Sequence, residues 1–139
     1  MKIRPACADD LPQLLRFDSH ISSPRLTECI RDHQVYAITD GTQITGVLRY
    51  SLFWQTIPFL DLLYLDEDCR HQGYGRQMMA YWESAMVQLG YRHVMLSTQE
   101  DETAKFFYEK LGYRRIGAFL PPEQEAQELM YLKSLTVPF

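Results

Sequence analysis

The sequence predicts a mixed α/β domain with the element order β-α-α-β-β-β-α-β-α-β-β. Three observations carry that reading. A short apolar run from Leu60 leads into a turn holding Arg70, Gln72, Gly73, Gly75 and Arg76, and then into an apolar stripe at helical spacing that reaches Leu89. Asp40-Gly41 stands between two apolar, strand-like runs, which is a strong hairpin signal. Residues 104–111 form a short helical pattern stopped by Gly112. With 139 residues the chain is expected to fold as one domain.

Taken in order, Lys2-Ile3-Arg4 opens a first strand that Pro5 ends. Asp9 and Asp10 begin a helix whose Leu11, Leu14, Leu15 and Phe17 recur at helical spacing. Ser22-Ser23-Pro24 pairs a cap with a first-turn proline and starts a second helix, with Leu26, Cys29 and Ile30 on one face and an end near His33. Residues 35–38 read as a strand and Asp40-Gly41 as a two-residue turn. The return strand, from residue 43 to about 53, places Ile44, Gly46, Leu48, Tyr50 and Leu52 on one face. Residues 54–58 connect to a central strand from 59 to about 66. A central helix begins near Tyr74, packs Met78, Trp82, Ala85, Met86 and Leu89 against a sheet, and ends at a left-handed Gly90. Strands at 91–98 and 113 to about 118 flank the helix at 104–111. Residues 128 to about 133 make a last, edge strand.

Composition narrows the function classes. Hydrophobic residues make up 46% and charged residues 23%, ordinary for a globular chain. Cys7, Cys29 and Cys69 are widely spaced, which suits a reducing compartment and shows no metal-ligand spacing. No apolar run approaches the roughly 20 residues that span a bilayer, and the N-terminal residues lack the apolar core of a signal peptide. The expectation is a cytoplasmic protein without a membrane partner. A net charge of −4 argues against nucleic acid. The acidic clusters Asp66-Glu67-Asp68, Glu100-Asp101-Glu102 and Glu123/Glu125/Glu128 read either as solvated loops and helix starts or as a field that gathers a cationic amine.

The turn after the central strand has the makings of a pyrophosphate cradle. Its glycines let backbone approach phosphate, its arginines supply charge, and a helix N-terminus aims unpaired N–H groups at the same place. It is neither of two familiar cradles. A dinucleotide fingerprint needs glycine where Met78 stands, and a P-loop needs a lysine that follows neither Gly73 nor Gly75. What remains, Arg70-x-x-Gly73-x-Gly75, resembles the R/Q-x-x-G-x-G/A signature of the GCN5-related N-acetyltransferase (GNAT) superfamily. Ala104-Lys105-Phe106-Phe107-Tyr108-Glu109-Lys110-Leu111-Gly112-Tyr113 resembles that superfamily's A-x-x-F-Y-x-x-x-G-F/Y segment. The two stand in the right order, one helix and one strand apart, and the resemblance extends over nearly the whole chain.

The resemblance implies a mostly antiparallel central sheet flanked by helices. It implies acetyl-CoA as cosubstrate, no metal, and direct acetyl transfer to a primary amine, of a small molecule in preference to a protein. A protein N-acetyltransferase, or a non-catalytic domain of this fold that binds or senses acyl-CoA, remains the alternative. By the same resemblance Leu63, Tyr64 and Leu65 pair with the pantetheine arm, with the Leu65 N–H near the acetyl oxygen, while Arg70, His71, Gln72, Gly73, Tyr74, Gly75 and Arg76 hold the pyrophosphate. Tyr108 is the implied general acid, because a phenol stays protonated at neutral pH. Asp61 is the only charge in an otherwise apolar strand. It reads as base or amine anchor, or as a hydrogen-bonded structural acid at the strand's solvent end. Glu100 is a weaker candidate base, and a water chain is a further route. Asp101 stands where relatives often carry an asparagine, and it cannot donate that amide hydrogen bond. His20, His33, His93 and Cys69 form no catalytic motif. Analogy with relatives adds a homodimer through the final strand as an expectation.

Overall fold

The computed structural model describes residues 1–135. Seven strands, β1 (Lys2–Pro5), β2 (Val35–Thr39), β3 (Ile44–Phe53), β4 (Ile57–Leu65), β5 (His93–Gln99), β6 (Arg114–Phe119) and β7 (Glu128–Ser134), hydrogen-bond in the order β1-β2-β3-β4-β5-β7-β6. The helices are α1 (Leu11–Phe17), α2 (Ser23–Arg31), α3 (Tyr74–Gln88) and α4 (Ala104–Lys110), with single 3-10 turns at Ala8–Asp10 and Glu67–Cys69. The registers β1/β2, β2/β3, β5/β7 and β6/β7 are antiparallel, whereas β4 and β5 run parallel. The chain packs as two compact units. One holds Met1–Ser51 with Asp61–Trp82, the other Leu52–Leu60 with the described residues from Glu83 onward, so β4 is divided between them.

In the first unit β2 is buried on both faces, as the run Val35-Tyr36-Ala37-Ile38 requires. One face packs Val35, Ala37 and Val47 against Leu14, Leu26 and Ile30 of α1 and α2. On the other side of β2 and β3, Tyr36 meets Tyr81 edge-on at 5.4 Å and Tyr50 meets Trp82 at 5.8 Å. Ser22 caps α2 by accepting from the Arg25 N–H, with Pro24 in the first turn. Asp10 ties β1 to the first helix. It accepts two bonds from the Arg4 guanidinium, at 2.7 and 3.0 Å, and one from the Cys7 N–H at 2.8 Å. Arg4 holds its carboxyl down at about 2, against the cost of burial.

Several boundaries differ from the sequence reading. The turn after β2 is a four-residue loop rather than a two-residue hairpin, because the Asp40 carboxylate accepts from the Thr42 and Gln43 N–H groups and closes a wider turn. The β2/β3 register slips there: Ile38 pairs with Gly46 and Thr39 with Ile44, leaving Thr45 as an extra residue. That bulge turns Ile44 away from the face of Gly46, Leu48 and Tyr50 and into the cluster with Val47. β4 begins at Ile57, two residues early, because Trp54 and Gln55 both adopt left-handed φ (55 and 60) and reverse the chain at once. β5 begins at His93 rather than residue 91. Leu89 is 64% exposed and leaves the α3 stripe, whose Met78, Trp82 and Met86 are fully buried.

In the second unit β7 lies between β5 and β6, so it is an inner strand and the edge is β6. β5 and β7 bury Val94, Met95, Leu96, Leu129 and Tyr131. Glu83 accepts from the Tyr113 hydroxyl at 2.8 Å and from Lys133 Nζ at 2.7 Å.

Candidate active site

The loop between β4 and α3 is built by hydrogen bonds that the sequence does not display. The Asp66 N–H donates to the carbonyl of the bulged Thr45 at 2.8 Å, which ends β4. The 3-10 turn at Glu67–Cys69 follows. Arg70 then folds back, its Nε donating to the Leu65 carbonyl at 2.9 Å and its guanidinium lying 5.3 Å from the centre of the Tyr64 ring. The Gln72 amide donates to the Asp68 carbonyl at 2.8 Å. His71 (φ 62) and Gly73 (φ 80) bend the backbone through left-handed conformations. The first N–H of this stretch to close onto the chain again is that of Gln77, on the Gly73 carbonyl at 3.1 Å. Among the described residues, the backbone N–H groups of residues 71–76 have no acceptor. They lie at the N-terminus of a 15-residue helix, where the peptide dipoles add positive potential. Donors of that kind suit an anion with several oxygens.

Strand β4 supplies the approach to this loop. Its register with β5 covers Phe59↔Met95 and Leu60↔Leu96, and β4 then continues to Leu65. Gly46 on β3 lies so close to this end of β4 that a Cβ built there would stand 2.6 Å from the Tyr64 carbonyl oxygen. Leu63, Tyr64 and Leu65 are each partly exposed.

Asp61 is not isolated. Its carboxylate lies 3.6 Å from Arg49 Nη1, with its side chain 25% exposed and that of Arg49 11% exposed. Arg49 also donates from Nε to Asp18 at 2.7 Å, and the Asp18 side chain is wholly buried. Burial pushes the Asp61 carboxyl up, a hydrogen bond with Ser51 and the Arg49 charge pull it down, and the Asp18 charge raises it.

In the second unit, α4 places Tyr108 against Phe107 (ring centroids 5.1 Å) and Tyr113 (6.0 Å). Two further tyrosines lie beside this helix. The hydroxyls of Tyr113 and Tyr131 donate to Glu83 and Glu109. The Tyr108 hydroxyl has no hydrogen-bond partner among the described residues, and burial pushes its pKa up to about 12. Glu100 and Asp101 lie outside β5 and α4. The Glu100 carbonyl accepts from Lys105, its N–H donates to the Gln127 carbonyl, and Asp101 is exposed.

The family model for the acetyltransferase (GNAT) domain matches residues 31–115, more than half of the chain. The chain belongs to the GNAT family. N-acetyl transfer from acetyl-CoA is the chemistry of that family. No match was found among curated proteins. Among solved structures the GNAT chain is similar to Ard1 from Thermoplasma volcanium, with a TM-score of 0.84, 19% identity, and 97% of each chain covered. It is also similar to the ribosomal-protein-S18-alanine N-acetyltransferase from Escherichia coli (0.80, 14%, covering 99% of this chain and 96% of that one). A third similar structure is the PaiA N-acetyltransferase from Thermoplasma acidophilum in complex with coenzyme A (0.79, 16%, 96% and 98%). At these identities the likeness is one of fold. No helix among the described residues of this GNAT domain is long and apolar enough to cross a membrane.

The sequence reading passed over Arg49 and Asp18. A signal for Arg49 was present: it is the only charge within β3, as Asp61 is within β4, and two lone opposite charges on consecutive strands invite pairing. Asp18, one acid among several near helix ends, carried no such mark. It stands at the end of α1, its N–H on the Leu14 carbonyl and its buried carboxylate on Arg49.

Proposed function

We propose that this GNAT enzyme transfers the acetyl group of acetyl-CoA directly to a primary amine of a small, cationic molecule. The observation that carries the reading is the row of N–H groups at residues 71–76 without an acceptor among the described residues, set at a helix N-terminus one 3-10 turn after β4. Those donors, with the side chains of Arg70, His71 and Arg76, would hold the pyrophosphate, and the backbone of Leu63, Tyr64 and Leu65 would pair with the pantetheine arm. Acetyl-CoA supplies an activated acyl group and a thiolate leaving group. On the protein's side, the Leu65 N–H stabilises developing negative charge on the carbonyl oxygen, and the phenol of Tyr108 holds the proton that the leaving thiolate needs. Asp61 receives the ammonium of the acceptor and takes its proton. The group formed by Asp18, Arg49 and Asp61 has more negative than positive members, which supports a cationic acceptor.

A protein N-terminus is a second acceptor class, favoured by the similar structure named for acting on a ribosomal protein. Calorimetric titration with acetyl-CoA, followed by thiol release over a panel of small amines and short peptides, tests both readings. Binding with turnover on small amines supports the proposal, and turnover on peptides alone moves the acceptor to proteins. Binding without turnover on any acceptor makes the domain an acyl-CoA sensor, and absence of binding removes the cradle assignment. Asp61→Asn should lower kcat by about 10²-fold or more if Asp61 is the base; an unchanged rate places the base elsewhere.

A further inference from the structure

Two carboxylates share one guanidinium on the first unit's sheet, and they share it unequally. Arg49 gives Asp18 two contacts, Nε to Oδ2 at 2.7 Å and Nη2 to Oδ1 at 3.4 Å. The Arg49 nitrogen nearest Asp61 is Nη1, at 3.6 Å, which is beyond hydrogen-bond distance. Asp18 is wholly buried at the end of α1, and its Oδ1 also accepts from the His20 N–H at 3.3 Å. Asp61 keeps part of its side chain in solvent. A fork clamped on a buried partner has little freedom to turn toward a second one.

We infer that Asp18 and Arg49 are positioning residues for Asp61: Asp18 takes both hydrogen bonds of the guanidinium and so holds it no closer than 3.6 Å to Asp61, which orients the Asp61 carboxylate and leaves it available to an incoming ammonium. This rests on the acceptor role proposed above for Asp61. In the step it serves, one Asp61 oxygen takes one proton from R–NH3⁺, giving a neutral carboxyl and R–NH2 with its lone pair free to attack. Burial of Asp61 raises its basicity for that purpose. Arg49 and the Ser51 hydroxyl, both on β3, moderate the rise, and the Asp18 charge adds to it. From α2, Cys29 lies within reach of the Arg49 and Asp61 charges, and Arg25 and Asp32 act on the same thiol.

The arrangement predicts shifts of opposite sign. In Asp18→Asn the like charge is gone and Arg49 is free to close on Asp61. The titration of Asp61 and the acid limb of kcat/KM for the amine then move to lower pH, while KM for the amine rises because the carboxylate is neutralised. In Arg49→Gln both move to higher pH. Arg49→Gln leaves Asp18 buried without its cation, so the double variant Asp18→Asn/Arg49→Gln repeats the upward shift in a fold free of that unpaired charge. The measurements are pH–rate profiles and a carbon NMR titration of the Asp61 carboxyl in the intact protein. Opposite shifts in Asp18→Asn and the double variant, seen in both measurements, support the inference. Shifts of one sign, or an unmoved Asp61 titration, overturn it. Should the wild-type protein acetylate no amine, the proposed function falls, and the NMR titration still decides whether Asp18 and Arg49 govern Asp61.

Discussion

Replacing Gly46 by alanine adds one methyl group where β3 meets the end of β4. That Cβ would stand 2.6 Å from Ile38 Cδ1, 2.9 Å from Leu65 Cδ2 and 2.6 Å from the Tyr64 carbonyl oxygen. The two side-chain ends can swing aside, but the carbonyl belongs to backbone and moves only if β4 moves. Restoring an ordinary contact of about 3.4 Å needs a displacement of roughly 0.8 Å, and overpacking of this kind costs about 1–3 kcal/mol. For a chain of this length that is a fall in Tm of roughly 3–12 °C. Tyr64 lies inside the stretch proposed to pair with pantetheine. Losing one hydrogen bond there, worth about 0.5–1.5 kcal/mol, raises the Kd for acetyl-CoA roughly 2- to 12-fold. Thermal unfolding and calorimetric titration read the two effects separately. Gly117→Ala is the control, since nothing lies within 4 Å of its added Cβ; it should be neutral or stabilising by up to about 1 kcal/mol. If Gly46→Ala matches Gly117→Ala in both measurements, the close approach of β3 to β4 has no energetic meaning and the reasoning fails.

Tyr108→Phe should lower kcat by about 10²-fold with little change in acetyl-CoA affinity. Because burial holds the phenol protonated to about pH 12, an alkaline limb in the wild-type profile below about pH 10 must belong to another group. Gly73→Val should weaken acetyl-CoA binding measured by calorimetry, because φ +80 is open to glycine and strained for a β-branched residue by about 1–3 kcal/mol. Equal affinity would place the cradle elsewhere. Asp10 has a depressed folded-state pKa, so its contribution is complete above its unfolded value near 3.8 and is lost as pH falls toward about 2. The full shift corresponds to about 2 kcal/mol, and nearer 1 once the 44% exposure of Arg4 is allowed for. Urea unfolding at pH 5 and pH 2.5 should show this loss in the wild type and a smaller one in Asp10→Asn.

Much of this fold was legible because its signals are local. Ser22 and Pro24 start α2, Gly90 and Gly112 follow the ends of α3 and α4 with left-handed φ, and α3 begins at Tyr74 as the spacing of its apolar residues requires. Each of these depends on residues within a turn or two of one another. The errors share the opposite property. Ile44 changed faces because of a one-residue slip between two strands, which no period-2 count within one strand detects. The last strand became an inner one because sheet order is a choice among pairings distant in sequence. Trp54 and Gln55 hide a tight reversal, since neither is a residue that favours left-handed φ.

For the site, the sequence by itself determined the kinds of group present: glycines and arginines after an apolar strand, a helix to point N–H groups, a lone acid at position 61 and a tyrosine four residues before a glycine. These are matters of order and spacing along one strand-turn-helix segment or one helix, which short-range geometry fixes. Only the tertiary structure decided what each group is bonded to. Arg70 is turned back on the Leu65 carbonyl, the Tyr108 hydroxyl has no partner among the described residues while Tyr113 and Tyr131 are paired, and Asp61 shares Arg49 with a buried Asp18 that stands 31 residues from that arginine. Burial and partnership set the protonation of such groups, and both arise when distant segments exclude water together.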